Sequence, residues 1–315
     1  MKRYMQNILK QREMTNNVQI LDYEISFKKE YCVVKDIENN VYFRVNGTAY
    51  QYILEHYREY GFGEKLDELF RNKKKYRLER ECLIRISYKK SLDRVIKNLP
   101  SQIFDWKMVL FMLVLLLAVG TIELRKSFGG SEDLKANTFI YGMFLILNIF
   151  AHEMGHVCFC LKAGREINSY GFKMNYGIPM FYVDTSDICM ASKKEKIMTS
   201  LGGVYFNAIV GMVIYIGDFV LKKGLALEVI TIPFFFIVSN LLPFMKLDGY
   251  YVLSDLFEVS NLNKVAKDSM RNLSENIKVR NYKKIFLAIY YILSIIFLTT
   301  VSIGIIYTVI SWIIA

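Results

Sequence analysis

Apolar residues are distributed unevenly along the chain, and their pattern changes near residue 105. Residues 1–105 are rich in Lys and Arg and contain no apolar run long enough to cross a membrane. Beyond this point, apolar stretches approaching or reaching spanning length occur at residues 108–122, 138–161, 198–221, 225–245 and 285–315. The last stretch is long enough for one tilted helix or for a tight hairpin near residues 302–304. The pattern predicts a polytopic α-helical membrane protein with about five or six transmembrane helices.

Shorter periodicities in the N-terminal region predict a small soluble α+β domain. Strand-like apolar residues occur around Ile25, at 31–34 and at 41–45, with turn residues at 38–40. Helical spacing predicts a helix over about residues 48–59, and a second helix that carries Leu66, Leu69 and Phe70. We therefore expect four divisions of the chain: a soluble domain over 1–100, a membrane core over 101–260, a cytoplasmic linker over 261–284 and a C-terminal transmembrane segment over 285–315.

Charge orients the chain in a membrane. The net charge is +11, and the basic residues concentrate in the N-terminal region, in the loops that follow residue 161 and in residues 246–284. If the spans alternate, these three segments lie on one side, which the positive-inside rule assigns to the cytoplasm. We expect a multi-pass protein of the bacterial cytoplasmic membrane that contacts anionic lipid. The basic N-terminal stretch lacks a clear recognition helix, so no nucleic-acid partner is expected.

The residues that carry chemistry lie inside the second apolar stretch, in the pentapeptide His152-Glu153-Met154-Gly155-His156. On a helix, His152 and His156 project from one face and can grip one metal ion, while Glu153 can take a proton from metal-bound water. Ionisable residues are costly in a membrane and are functional candidates there. The third histidine, His56, belongs to the soluble region. The alternative is a pair of histidines that only pack or cap the helix.

A catalytic zinc ion takes three protein ligands, so a third ligand is needed. We expect a carboxylate, and Asp248 is the best candidate because Pro243 should end the preceding helix and Gly249 permits a turn toward the histidines. Asp184 and Asp187 are the reserve candidates, whereas Asp218 lies toward the other side of the membrane. The alternative for Asp248 is an aspartate that caps the helix after it.

Two motifs together resemble the signatures of the site-2-protease intramembrane zinc metalloproteases. One is His152-Glu-x-x-His156, and the other is Asn240-Leu-Leu-Pro-Phe-Met-Lys-Leu-Asp248-Gly249, in which Met245 replaces a proline of the family pattern. Residues 201–207, LGGVYFN, look like the family's Gly-Pro-x-x-Asn element with Val204 in place of proline. Residues 181–187 and 248–255 are similar to the branch of peptide zinc metalloproteases found with ribosomally made, modified peptides. The resemblance covers about residues 106–260.

This resemblance implies a site and a cofactor. Zn²⁺ would be held by His152, His156 and Asp248, and Glu153 would activate the zinc-bound water. Asn207 and Asn240 would lie near the substrate or the metal loop, or alternatively would form hydrogen bonds between helices.

Two further segments have predicted roles in binding substrate. Residues 165–192 would form either a β-hairpin that binds an extended substrate by strand addition or a plain loop. The strands and helix around 48–59 resemble the PqqD-like domains, which are winged-helix units that recognise leader peptides.

These residues, together with the resemblance, imply three candidate functions. The first is a membrane-embedded zinc endopeptidase that cleaves a small ribosomally made peptide for maturation, export or clearance. The second is a regulated intramembrane protease of a transmembrane signalling protein, and the third is a non-catalytic peptide-binding or export accessory. The expected partners are a peptide or membrane-protein substrate, the lipid bilayer, and modification enzymes or an exporter of the same pathway. The intact set of four polar site residues favours an enzyme.

Overall fold

The structure is a computed structural model that describes residues 17–20, 22–28, 31–37, 41–57, 62, 66, 82–88, 93–129, 138–175, 178–221 and 226–314. The chain divides into two compact units. The first unit contains residues 1–105 and 153–199, and the second contains residues 106–152 and 200–315. The division falls within a single continuous helix, α4 (Thr138–Lys162), between His152 and Glu153.

A four-stranded antiparallel sheet forms the N-terminal part of the first unit. Its strands pair in chain order: β1 (Asn17–Ile20), β2 (Tyr23–Phe27), β3 (Tyr31–Asp36) and β4 (Val41–Asn46). Helix α1 (Gly47–His56) follows β4 directly. The predicted strands and the first predicted helix are confirmed. Of the three residues assigned to the second predicted helix, Leu66 is buried in the same core as α1, whereas Leu69 and Phe70 lie outside the described residues. Phe62, which precedes the predicted helix, is buried in this core as well.

Strand β3 is buried on both faces, which accounts for the unbroken run of apolar residues over 31–34. Cys32 and Val34 point into the core shared with α1. Tyr31 and Val33 point to the opposite face, where they pack against Met190. Met190 belongs to a short 3₁₀ helix, Ser186–Met190, that lies more than 150 residues further along the chain. The N-terminal sheet therefore shares a hydrophobic contact with the segment that follows α4.

The first unit contains a second sheet, of three antiparallel strands in the order β5 (Cys82–Ser87), β6 (Ser169–Asn175) and β7 (Ile178–Val183). Strands β6 and β7 form the hairpin, so the structure selects the hairpin over the plain loop for residues 165–192. The pairing of β5 with β6 requires Gly171, because a Cβ atom there would lie 1.9 Å from the Ile84 carbonyl oxygen. Helix α2 (Asp93–Asn98) and a 3₁₀ turn (Ser101–Phe104) also belong to this unit.

The second unit is helical. It contains α3 (Trp106–Gly129), the first part of α4, most of α5 (Lys193–Leu221), α6 (Ala226–Leu241), α7 (Asp248–Leu256), α8 (Leu262–Arg271), α9 (Leu273–Lys278) and α10 (Tyr282–Ile314). Phe244, Tyr250 and Leu287 belong to a hydrophobic cluster in this unit.

Four of the described helices contain segments long and apolar enough to cross a membrane: Trp106–Arg125, Tyr141–Lys162, Lys193–Leu221 and Tyr282–Thr308. These correspond to four of the five predicted spans. The remaining predicted span, residues 225–245, corresponds to α6. This helix has 16 residues and ends at Leu241, two residues before Pro243. At 1.5 Å per residue, α6 is about 24 Å long, which is shorter than the hydrocarbon core of a bilayer. The C-terminal apolar run forms one helix and not a hairpin.

Candidate metal centre

Helix α4 places both histidines of the motif on one stripe of its surface. Residues four apart on an α-helix lie one above the other, so the spacing of His152 and His156 follows from the helix itself. His152 is buried, and His156 is partly buried.

Hydrogen bonds at Nδ1 orient both imidazole rings. Nδ1 of His156 lies 2.8 Å from the Thr199 carbonyl oxygen, and Nδ1 of His152 lies 2.8 Å from Oδ1 of Asn207. Both partner atoms are acceptors, so each Nδ1 carries a hydrogen and each ring, when neutral, keeps its lone pair on Nε2. Histidine ligands of metals are held in this way, with one nitrogen donating to the protein and the other facing the ion.

Asp248 is the first residue of α7, and a close backbone approach positions it. The adjacent residue, Gly249, lies against the end of α6, where an added Cβ atom would be 2.2 Å from the Leu241 carbonyl oxygen. The φ angle of Gly249 is not in the left-handed region, and Gly249 lies within the first turn of α7. Glycine is needed because two backbones approach each other. Oδ2 of Asp248 consequently lies 3.2 Å from Nε2 of His152.

The three predicted ligands are brought together: their ligand atoms all lie within 4.8 Å of one another. Zinc binds imidazole nitrogen and carboxylate oxygen at about 2.0–2.2 Å, so two ligands of a tetrahedral site are about 3.4 Å apart. The 3.2 Å between His152 and Asp248 is close to that spacing. With the hydrogen of His152 on Nδ1, a lone pair and a carboxylate oxygen face each other, and only a cation or a second proton makes this arrangement favourable. The donor set and its spacing therefore fit zinc.

Glu153 stands beside the cluster but is not a member of it. Its Oε2 accepts a hydrogen bond of 3.1 Å from the backbone N–H of Val183, the last residue of β7. This bond ties the carboxylate to the end of the β6–β7 hairpin.

Other predicted site residues have different environments. Asn207 contacts His152 directly, as described above. The amide of Asn240 donates to the Phe236 carbonyl oxygen one turn earlier in α6, which is a contact within its own helix. Asp218 is buried near the C-terminal end of α5, and His56 stacks on Tyr52 in the N-terminal region. Neither residue belongs to the metal-ligand cluster.

The reserve ligands Asp184 and Asp187 have structural partners. Asp184 accepts a hydrogen bond from the backbone N–H of Ser186. Asp187 is fully buried and accepts hydrogen bonds from Lys35 Nζ (2.7 Å), Tyr42 Oη (2.9 Å) and Arg165 Nε (2.7 Å). Burial acts to raise the pKa of Asp187, but the hydrogen bonds from Arg165 and Lys35 outweigh burial and lower its pKa to about 2. Asp187 is therefore a charged anchor for the N-terminal sheet.

Sequence reasoning missed three contributors to the site: Asn148, Thr199 and Val183. Thr199 and Val183 act through backbone atoms, which leave no signal in the side-chain pattern. Asn148 is a buried polar residue of α4 that lies four positions before His152. An amide in the middle of an apolar span was a detectable signal, because such residues mark interhelical hydrogen bonds.

Comparison with curated proteins finds 32% identity over 117 residues with "Putative peptide zinc metalloprotease protein YydH" of Bacillus subtilis (strain 168). The match covers 35% of this chain and 45% of the relative, so this chain spans less than half of the relative's length. The similarity supports a relationship to zinc metalloproteases. No family model matches the chain, and no solved structure matches it significantly.

Proposed function

We propose that this protein is a membrane-embedded zinc endopeptidase of the site-2-protease type that cleaves a small peptide. The observation that carries the proposal is the cluster of His152, His156 and Asp248. Both histidines and Glu153 lie on α4, a helix long and apolar enough to cross a membrane, and Asp248 reaches them from the start of α7. The printed name of the Bacillus subtilis relative supports the same chemistry and a peptide substrate.

Each polar residue of the site has a distinct part in the proposed reaction. A zinc ion held by His152, His156 and Asp248 would polarise a peptide carbonyl and lower the pKa of a bound water. Glu153 is the proton acceptor, because it lies beside the ligands and is itself not one of them. The Val183 N–H orients its carboxylate. Asn207 and Thr199 keep the histidine rings turned with Nε2 toward the metal.

The substrate is proposed to bind in extended form along β7. The backbone of Asp184 bonds to Ser169 of the neighbouring strand, so the backbone groups of Val183 and Phe181 point to the opposite, outer edge. The Val183 N–H on that edge already reaches Glu153. A peptide added as a further strand would therefore run beside the carboxylate, with its carbonyl groups free of helical hydrogen bonds.

The N-terminal region, residues 1–100, is proposed to be a PqqD-like domain that docks the peptide before cleavage. Its antiparallel sheet leaves β1 and β4 at the edges, where a peptide strand can add. We place this domain and the active-site end of α4 in the cytoplasm, because the basic loops cluster on that side. Modification enzymes or an exporter of the same peptide are the proposed partners.

The test is a Glu153→Gln variant of the purified full-length protein. Cleavage of peptides encoded beside its gene, followed by mass spectrometry, should be abolished while bound zinc is retained, since glutamine cannot accept the proton. Cleavage by this variant at the wild-type rate would contradict the role of Glu153. Loss of its zinc would show that Glu153 is needed for the metal site itself.

A further inference from the structure

Two asparagines are completely enclosed in the second unit beside His152. Asn148 lies on α4 and is 1% exposed, and Asn207 lies on α5 and is fully buried. Phe144, Asn148 and His152 follow one another at intervals of four residues and therefore share one stripe of α4. Buried amides in an apolar environment persist only when their hydrogen bonds are made, so the direction of each bond carries information.

The orientation of the Asn148 amide is set by a backbone atom. Nδ2 of Asn148 donates to the Phe144 carbonyl oxygen at 2.9 Å. A carbonyl oxygen can only accept, so the NH₂ group must face Phe144 and Oδ1 must face away from it.

Asn207 connects the Asn148 amide to the histidine. Nδ2 of Asn207 donates to Asn148 twice, to the backbone oxygen at 2.8 Å and to Oδ1 at 3.0 Å. Both hydrogens of the Asn207 amide are used, so its Oδ1 is the atom that faces Nδ1 of His152 at 2.8 Å. An oxygen there accepts a hydrogen from Nδ1, which leaves the lone pair of the neutral ring on Nε2, 3.2 Å from Asp248.

We propose that Asn148 is a positioning residue that sets the amide orientation of Asn207 and thereby holds His152 in the Nδ1–H tautomer. This inference rests on the proposed zinc site, to which it adds a residue that contacts neither metal nor substrate. Removing Oδ1 of Asn148 leaves one Asn207 hydrogen without its buried acceptor. The amide then loses one of the two contacts that fix its orientation, and the histidine loses its preference for the ligating tautomer.

The experiment compares Asn148→Leu, Asn207→Leu and the double variant in purified full-length protein. The probe is Zn²⁺ alone, titrated in competition with a chromophoric chelator. Each single variant should bind zinc about tenfold more weakly, which is the lower end of the loss found when residues behind metal ligands are removed. The double variant should be no weaker than Asn207→Leu, because Asn148 acts only through Asn207. Ser294→Ala, which removes a hydrogen bond to the backbone of α10, is the control and should bind zinc as the wild type does.

A second readout does not require zinc. The chain has only three histidines, so a ¹⁵N spectrum of histidine-labelled, metal-free protein at alkaline pH can resolve their tautomers. His152 should change from the Nδ1–H form to a mixture in Asn148→Leu. His156 should keep its tautomer, because the Thr199 carbonyl oxygen holds it independently.

The positioning role of Asn148 and the proposed zinc site can fail separately. Unchanged zinc affinity and an unchanged His152 tautomer in Asn148→Leu would overturn the positioning role, as would additive losses in the double variant. Failure of the wild type to bind zinc would overturn the proposed function, while the tautomer measurement would still test Asn148. If Asn148→Leu does not fold, Asn148→Ala removes the same oxygen without adding apolar volume, and the same criteria apply.

Discussion

Gly249 tests how closely the third ligand depends on backbone packing. Alanine at this position would place a Cβ atom 2.2 Å from the Leu241 carbonyl oxygen and 2.5 Å from the carbonyl carbon. Non-bonded heavy atoms require about 3.5 Å, so the start of α7 must move away from the end of α6 by about 1 Å. Asp248 is the neighbouring residue and moves with it.

The magnitude follows from the geometry of the ligands. Overpacking of this kind costs about 1–3 kcal/mol, and each 1.4 kcal/mol is about a tenfold change in a binding constant. A carboxylate displaced by about 1 Å also leaves the bonding range of zinc, which is about 2.0–2.2 Å. We therefore expect Gly249→Ala to bind zinc about tenfold to hundredfold more weakly than the wild type.

The assay is a chelator competition with purified full-length protein, and the matched control is Gly217→Ala. Gly217 is also helical, in α5, and has no atom within 4 Å of an added Cβ. Alanine is the better helix former by about 1 kcal/mol, so the control should be as stable as the wild type or more stable. Wild-type zinc affinity in Gly249→Ala, or an equal loss in Gly217→Ala, would refute the argument that the close approach at Leu241 positions Asp248.

Three other predictions concern the first unit. Gly171→Ala should detach β5 from β6, because the added Cβ atom would overlap the Ile84 carbonyl oxygen. The backbone amides of residues 82–87 should then exchange hydrogen faster than in the wild type, and unchanged exchange would contradict the prediction. Asp187→Asn removes the charge paired with Lys35 and Arg165 and should lower the free energy of unfolding by about 3 kcal/mol at neutral pH. Because the pKa of Asp187 in the folded protein is lowered to about 2, the Asp187 carboxylate stabilises the fold above about pH 4, and this stabilisation is lost as the pH falls toward 2. Melting temperatures that fall equally with pH in the wild type and in Asp187→Asn would refute this prediction. A fragment that ends at residue 100 lacks Met190, so Tyr31 and Val33 should lose a packing partner. The backbone amides of residues 31–34 should therefore exchange hydrogen faster in the fragment than in the full-length protein, and equal exchange would contradict this.

Local patterns predicted the elements that carry the site. The i, i+4 spacing of His152 and His156 needs only a helix. Pro243 correctly predicted the end of α6, although Pro233 lies inside the same helix without ending it. The hairpin at β6 and β7 and the strands of the N-terminal sheet likewise follow from period-two alternation and turn residues.

Long-range partners were not predictable in the same way. Lys35 and Asp187 are 152 residues apart in sequence, and no periodicity links a basic residue on a strand to a carboxylate in a 3₁₀ helix. Strand β5 is similarly separated from β6, and only Gly171 hints at a close backbone approach. Asn207 and Asn240 looked equivalent in sequence, but one bonds to a histidine on another helix and the other to its own backbone. Side-chain identity alone does not distinguish these environments.

The ligand roles of His152, His156 and Asp248 remain a prediction that metal analysis tests most directly. Zinc should be measured by mass spectrometry in the full-length protein and in His156→Ala. The control is His56→Ala, because His56 is a partly buried histidine outside the cluster, and its Nδ1 contacts the Tyr52 carbonyl oxygen. We expect about one zinc per chain in the wild type and in His56→Ala, and none in His156→Ala. A wild-type protein that takes up no zinc, or His156→Ala that retains a full equivalent, would contradict the proposed metal centre.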